Sequence, residues 1–437
     1  MDYSRSELLP GVYLSHLRSD KFKTACMSVN LLTQLKRETA AMNALIPAVL
    51  RRGTTRYGDM EALSRRLDEL YGTAIEPVVR RVGEIQCLGF FASFPEPEYI
   101  PGGQALLGEV SGLMAELLLR PNTRGGLLLP QYVDSEREKL LDLIRSRVNE
   151  KRSYAVQRCI EEMCCYEDFA VSRFGDEAEC EAIHYKKLTR HYRELIRTAP
   201  VEFFYCGKAG LKQVVAALRE ALAGMPRGEI DYDIGTDLRM NAVEAQVRYV
   251  EERMDVTQGK LVMGFRLGEC MEEPNVPALY VFNAVYGSGV TSKLFMNVRE
   301  KLSLCYYASS TIVRRKGLML VSSGIEFDKY EAARDEILAQ LEAVRRGEIS
   351  EDELIWAKRA VASDLRATMD SQGELEGYWL GQALDGLDYS PLELAALVDE
   401  VTMDDVTAIA KSVELDLIYF LRGNEDETEE NEDDAEA

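Results

Sequence analysis

The chain has 437 residues, 46% of them hydrophobic and 29% charged, an ordinary globular composition spread over too much length for one core, so at roughly 100–200 residues per domain two to four domains are expected. The net charge of −22 is concentrated at one end, where NEDETEENEDDAEA, residues 424–437, holds nine acidic side chains and no basic one. Removing those nine from −22 leaves −13 for the body; nothing in this balance favours a nucleic-acid partner, which needs a basic face, and 423–437 reads as a disordered, solvated tail.

At the N-terminus, MDYSRSELLPGVYLSH has no basic segment followed by an apolar run, so no signal peptide is expected. No window approaches the 18 or so uninterrupted apolar residues of a membrane span. The nine cysteines are scattered through apolar sequence, which fits a reduced, cytoplasmic setting.

The elements then repeat. GVYLSHLRSDKFKTACMSVNLLTQL reads as two strands around a polar turn. A helix over 40–52 follows, ending at Gly53-Thr54, then a helix in DMEALSRRLDELYG and strands in TAIEPVVRRVGEIQCLGFFASF. From Val247 the order recurs: strands in VRYVEERMDVTQGKLVMGFRLGE, a helix in PALYVFNAVYG, the turn SGV, a helix in TSKLFMNVREKL, and strands in CYYASSTIVRRKGLMLVSSGIE. VVRRVGE and IVRRKGL echo each other in corresponding places.

Long helices with apolar residues three and four apart complete each half. QALLGEVSGLMAELLLR and SEREKLLDLIRSRVNEKRSYAVQRCIEEM are expected to serve the first; DKYEAARDEILAQLEAVRRGE, SEDELIWAKRAVASDLRATM and SPLELAALVDEVTMDDVTAIAKSV the second. Each half closes on a strand, VEFFYCG at 201–207 and LDLIYFLRG at 415–423. The fold class is α+β: two similar domains in tandem, 1–225 and 226–422, each a mainly antiparallel sheet packed by helices. GMPRGEIDYDIGTD, 224–237, has the Gly, Pro and Asp content of a linker.

Candidate chemistry is sparse. His16 falls on a strand, while His184 and His191 flank a helical turn, and lone histidines of this kind commonly cap or face solvent. Cys164, Cys165, Cys180 and His184 form one conceivable metal set. Zinc sites want ligands paired two to four apart, twice over, and adjacent cysteines strain such chelation. No cysteine has a base in a recognisable nucleophile setting. YGSGVTSKLF lacks P-loop spacing, and its glycines instead end one helix and let Thr291 or Ser292 cap the next. Arg299 and Tyr306, in LFMNVREKLSLCYY, are seven apart; the helix is expected to end near Leu302, with Tyr306 opening the next strand.

This order of elements, over about residues 8–422, resembles the insulinase–pitrilysin (M16) family of zinc peptidases, whose unit is a repeated α+β domain of LuxS-like type. In that family the first helix of the catalytic half carries His-x-x-Glu-His and runs on to Gly-Thr; two histidines and a downstream Glu bind zinc, and the motif Glu is the general base. Counting back from Gly53-Thr54, Ala44 and Ala48 stand at the histidine positions and Pro47 at the glutamate. Anchored on Glu136 in VDSEREKLLDLI, the third-ligand position falls on Leu143. By contrast, VREKLSLCY matches the Arg and Tyr with which the family's non-catalytic half holds the substrate carbonyl, so the resemblance assigns that role to Arg299 and Tyr306.

The resemblance thus implies a non-zinc-binding bacterial subunit that is not active alone. Its expected partner is a zinc-bearing homologue, in a heterodimer acting on a peptide, with zinc on the partner and no cofactor here. Relatives of this kind have been linked to the modification of elongation factor P and to peptide maturation. The alternative is an inert scaffold or peptide-binding protein of the same fold.

Overall fold

The computed structural model describes residues 2–239, 242, 244, 246–268 and 272–424. The acidic tail expected over 423–437 therefore lies almost wholly outside the described residues. The chain forms two compact units, and neither is one continuous stretch of sequence.

The first unit comprises Met1–Ser146, Val171–Thr236 and Thr368–Ser390. Its strands are β1 (Asp2–Leu9), β2 (Val12–Arg18), β3 (Thr24–Gln34), β4 (Ala74–Val82), β5 (Ile85–Pro95) and β8 (Val201–Gly207), with a small hairpin of β6 (Thr123–Arg124) and β7 (Leu127–Leu128) apart from them. The main sheet runs β1-β2-β8-β3-β5-β4, and only the β2–β8 pairing is parallel. β8 thus separates β2 from β3, two strands that lie side by side in sequence. β8 is buried throughout and β3 almost so, which is why both read as apolar runs rather than alternating strands: helices cover both faces.

One face packs against α1 (Arg37–Leu50), α3 (Leu107–Leu119), α7 (Tyr185–Thr198) and α8 (Leu211–Ala221). Helices α2 (Met60–Glu69), α4 (Pro130–Ser146) and α6 (Glu177–Glu181) belong to the same unit. The opposite face, with Leu17, Cys26, Phe204 and Cys206, is covered by Leu375 and Trp379 of α12 (Gln372–Asp385).

The second unit comprises Arg147–Ala170, Asp237–Ala367 and Pro391–Ala437. Its strands are β9 (Arg248–Met254), β10 (Gly259–Arg266), β11 (Cys305–Val313), β12 (Leu318–Ile325) and β13 (Glu414–Gly423), ordered β11-β12-β10-β13-β9 with only β13–β9 parallel. Read backwards, this is the first sheet without β1. The repeat seen in sequence is therefore a repeat of topology. Helices α9 (Val276–Tyr286), α10 (Tyr330–Arg345), α11 (Glu351–Ala367), α13 (Pro391–Glu400) and α14 (Met403–Ser412) line one face. The other is covered by Ala155, Cys159, Ile160 and Met163 of α5 (Lys151–Met163).

Two expectations are corrected here. The contiguous division at 225/226 does not describe the compact units, because α5 covers the second sheet and α12 the first. The single long helix expected across 135–163 is broken by the 3-10 turn Arg147–Asn149, and its second part serves the other half. Periodicity fixes which face of a helix is apolar but not which sheet it meets.

Each exchanged segment is anchored by buried charge. Glu376 of α12, 1% exposed, accepts hydrogen bonds from Arg80 (2.6 and 3.1 Å), Ser28 (2.7 Å) and Asn30 (3.1 Å). In the second unit Arg266, fully buried, donates to Glu167 at 2.8 Å and to Asp416 at 2.9 Å, and Lys316 pairs with Glu167 at 2.6 Å. Burial raises the Glu167 carboxyl, but the bonds from Arg266 and Lys316 prevail and hold it below the usual carboxylate range. Asp416 reaches this cluster because it is the unpaired residue of a bulge, Gly264 facing Leu417 and Phe265 facing Leu415. Removing one member of such a set strands a buried charge, at a typical cost of about 3–5 kcal/mol.

The 224–237 stretch is a strap rather than a loose linker. Arg227 donates to three carbonyls, of Pro10, Ile196 and Ala199. Further on, Thr236 Oγ1 accepts from the Glu84 N–H at 2.9 Å. Among the described residues no helix is long and apolar enough to cross a membrane.

Candidate functional site

Two segments carry the site positions expected from sequence. The first is α1. Ala44 and Pro47 are buried and Ala48 is partly so, with Leu45, Ile46, Val49 and Leu50 packed around them in the core. Pro47 lies inside the helix, where it lacks the N–H that would reach Asn43. The Asn43 side chain is engaged elsewhere: its amide donates to Gln86 at 2.8 Å, and its Oδ1 meets His191 Nε2 at 2.6 Å. Because Asn43 already donates to Gln86, its oxygen accepts, so His191 carries its proton on Nε2. Arg52, just past the helix end, pairs with Glu136 of α4 at 3.3 Å, while Leu143, seven residues further along the same helix, is 45% exposed. Methyl, pyrrolidine and isobutyl groups offer no electron pair to a metal. Ala44, Pro47, Ala48 and Leu143 therefore do not fit a zinc ion.

The second segment is Leu294–Tyr306. It opens with a π-helix, Leu294–Lys301, not the α-helix expected. The Leu302 N–H reaches back five residues to Asn297 O, and the Leu304 N–H six to Val298 O. Ser292 Oγ accepts from the Phe295 N–H at 3.3 Å, so the expected capping serine does act at this entrance. Leu294 and Val298 anchor it in the core, while Lys293 pairs with Glu353 and Asn297 with Gln340, at 2.8 and 2.9 Å. Ser303 follows in the left-handed region, φ 51°. β11 then begins with a bulge: Cys305 faces Ile325 and Tyr307 faces Gly324, leaving Tyr306 without a partner.

These irregularities display both expected side chains. Arg299 lies 4.7 Å from the Phe295 ring and 3.5 Å from Glu300, its side chain 42% exposed. Tyr306 is 63% exposed. The Arg299 guanidinium also lies near the start of β11. Burial raises the Cys305 thiol, and after a hydrogen bond from Ser323 the charge of Arg299 opposes that rise. A cation and a phenol thus stand within one short, strained stretch of the second unit.

The remaining candidates have structural settings. His16 is buried, within 2.9 Å of Ala209 O and stacked on Tyr205. His184 caps α7, accepting from the Lys186 N–H. Cys164 and Cys165 fall in the second unit, Cys180 and His184 in the first. Among the described residues no group of three or more His, Cys, Asp and Glu is placed to hold a metal ion. Helix α12, with its buried Glu376, went unread in the sequence. Ser371, whose Oγ accepts from the Glu374 N–H, and Gly386 in the left-handed region were the available signals.

Comparison with known proteins agrees with this architecture. Residues 182–361 match the family model described as the peptidase M16 inactive domain. The chain is 31% identical over 417 residues to a Bacillus subtilis protein named "Probable inactive metalloprotease YmfF", covering 95% of this chain and 96% of that one. A conserved protein from Enterococcus faecalis superposes with a TM-score of 0.86 at 26% identity, covering 97% of this chain and 99% of the other. The fold is also that of a peptidase M16 inactive domain from Pseudomonas fluorescens, with a TM-score of 0.78 at 15% identity over 97% of this chain and 99% of that one. The chain belongs to the peptidase M16 family.

Proposed function

We propose that this chain is the non-zinc-binding subunit of a two-chain M16 peptidase. Its partner is a His-x-x-Glu-His homologue, which brings the zinc and the general base. Arg299 and Tyr306 of this chain hold the substrate's carbonyl oxygen as negative charge develops on it. A guanidinium and a phenol are suited to that task, being fixed donors that gain strength as the oxygen becomes anionic.

One observation supports this reading above the rest: the concentration of costly backbone in Leu294–Tyr306. A π-helix, a left-handed serine and a bulge each sacrifice regular hydrogen bonding, and such features persist where a side chain must be aimed. Here they end with Arg299 and Tyr306 exposed, the first beside the buried Val298 and the second between the half-buried Cys305 and Tyr307. The first helix of the first half, α1, carries no functional group at the positions where the family's zinc ligands would stand.

The test is reconstitution. The chain is mixed in equal amounts with a zinc-bearing M16 homologue from the same genome, and cleavage of a peptide library is followed. Neither chain alone should cleave at the rate of the mixture, and Arg299→Ala or Tyr306→Phe should reduce that rate by roughly 10²–10³. If both variants cleave as fast as the unaltered mixture, the chain is an inert scaffold of the same fold.

A further inference from the structure

Beneath α12, on the face of the first sheet away from α1, two thiols face each other. Cys26 of β3 and Cys206 of β8 are direct partners in the antiparallel ladder. They sit in one cluster with Leu17, Phe204, Leu375 and Trp379, and both are fully buried. Directly opposed residues of an antiparallel pair have Cα atoms about 4.5 or 5.5 Å apart, depending on which ladder position they occupy. Both values lie within the roughly 4.4–6.8 Å that a disulfide spans. Opposed side chains also emerge on the same face, so the pair has the spacing and direction that a disulfide requires.

We propose that Cys26 and Cys206 are a dithiol modification site, oxidised to an intrachain disulfide by a low-molecular-weight disulfide when α12 lifts from the sheet.

The pair is chemically unequal, as such a reaction needs. A hydrogen bond from Cys26 lowers the Cys206 thiol against the effect of burial, helped by the Gln372 side chain, whereas Cys26 is pushed up by the same hydrogen bond and by burial. The bond from Cys26 lies within the sheet and stays when α12 lifts, so Cys206 is the first attacker and Cys26 the resolving thiol. Gln372, the first residue of α12, also fixes the helix over the pair, its amide donating to Thr24 O at 2.8 Å and to Cys206 O at 3.0 Å. In the first step Cys206 Sγ attacks one sulfur of the reagent disulfide and expels a thiolate. In the second, Cys26 Sγ attacks the Cys206 sulfur of that mixed disulfide and expels the other. Two protein S–H bonds are lost and one S–S bond is gained; the two electrons and two protons leave with the reagent as two thiols.

Access decides the rate. With both sulfurs covered, oxidation proceeds only from the state in which α12 is undocked, and that docking rests on Glu376 with Arg80, Ser28 and Asn30. Loosening this anchor raises the population of the open state.

Reduced, desalted full-length protein is incubated with cystamine, denatured in acid, alkylated and weighed. Apart from a cystamine half on the exposed Cys165, the expected product is lighter by two hydrogens, has two fewer alkylatable thiols, and yields a non-reducing digest in which the Cys26 and Cys206 peptides are linked. Cys26→Ser should abolish the link and leave cystamine's half on Cys206. Arg80→Ala, checked for fold by circular dichroism, should form the link at least several-fold faster than wild type. The proposal is overturned if wild type keeps the Cys26 and Cys206 thiols under conditions that oxidise dithiothreitol, if a stable mixed disulfide accumulates on Cys206 without closing, or if the link maps to other cysteines. An Arg80→Ala rate equal to that of wild type would remove α12 as the gate and equally overturn it.

Discussion

The helix α1 and the segment Leu294–Tyr306 lie in the same interval of the two halves, between β3 and the β4–β5 hairpin in the first and between β10 and the β11–β12 hairpin in the second, although in order of elements α1 is matched by α9 and the segment by α2. They have been treated in opposite ways. α1 is regular and sunk in the core, with its one irregular residue, Pro47, filling space between apolar neighbours. Leu294–Tyr306 gives up regularity three times over and leaves a cation and a phenol in solvent. Regular packing lowers free energy and asks for nothing further. Irregular backbone costs of order 1–3 kcal/mol at each strained residue, so the second segment is where a purpose beyond stability is to be sought.

The largest test of that contrast is the loss expected at Arg299. Arg299→Ala should reduce cleavage by the reconstituted pair by roughly 10²–10³, while leaving the unfolding midpoint of this chain almost unmoved, because an exposed arginine beside Glu300 contributes little to stability. The thermal midpoint and the cleavage rate are measured on the same preparation. A variant that loses both would reduce Arg299 to a structural part and erase the difference between the segments.

The opposite outcome is expected at α1. Ala44→His places an imidazole in a packed core, 6% exposed in the native chain, and overpacking of this kind costs about 1–3 kcal/mol. Urea unfolding should show that loss, and zinc should not recover it, since Pro47, Ala48 and Leu143 still offer no ligand. Zinc-dependent recovery of stability would mean that α1 is a latent metal site rather than packing.

How much of this was legible beforehand differs between the segments for a physical reason. The apolar run at 44–50, its Gly-Thr stop and the seven-residue step from Arg299 to Tyr306 are local, and they were read correctly as a packed helix and as a helix end followed by a strand. The π-helix was not legible. It depends on partners far along the chain, Glu353 for Lys293 and Gln340 for Asn297, whereas TSKLFMNVREKL alone has an ordinary α-helical pattern. The bulge at Tyr306 is likewise a property of register against β12. Nor could the exchange of α5 and α12 be foreseen, since their sheet partners lie more than a hundred residues away. Arg227 in the presumed linker was missed because three scattered carbonyls, not neighbouring residues, define its role.

A smaller effect sharpens the account of strain. Ser303 holds φ 51° without being glycine, a conformation costing an L-residue roughly 1–2 kcal/mol. Ser303→Gly relieves that cost but adds about 0.5–1 kcal/mol of chain entropy to the unfolded state. The variant should therefore gain no more than about 1.5 kcal/mol in urea unfolding. If display of Arg299 and Tyr306 depends on a fixed backbone, it should lose cleavage rate as it gains stability. Gains in both would show that Ser303 is merely tolerated.

The smallest expected effect belongs to α1 and concerns pH. His191 holds Asn43 through Nε2–H, and burial, followed by the charge of Lys187, lowers its pKa from the ordinary histidine value. The folded protein therefore prefers the neutral ring, while the unfolded chain takes up a proton near pH 6.5. Between the depressed folded value and that ordinary value the unfolded state binds more protons, so stability rises with pH. The contribution is fully present above about pH 6.5, is lost progressively as pH falls toward the folded value, and changes no further below it. Subtracting the unfolding curves of His191→Gln from those of wild type at a series of pH values isolates this group. The difference should shrink as the solution is acidified across that window. A difference that grew on acidification would mean that the imidazole is protonated in the fold: the Nε2–H bond to Asn43 would keep its direction, but burial would not be what sets the charge of the ring beside the middle of α1.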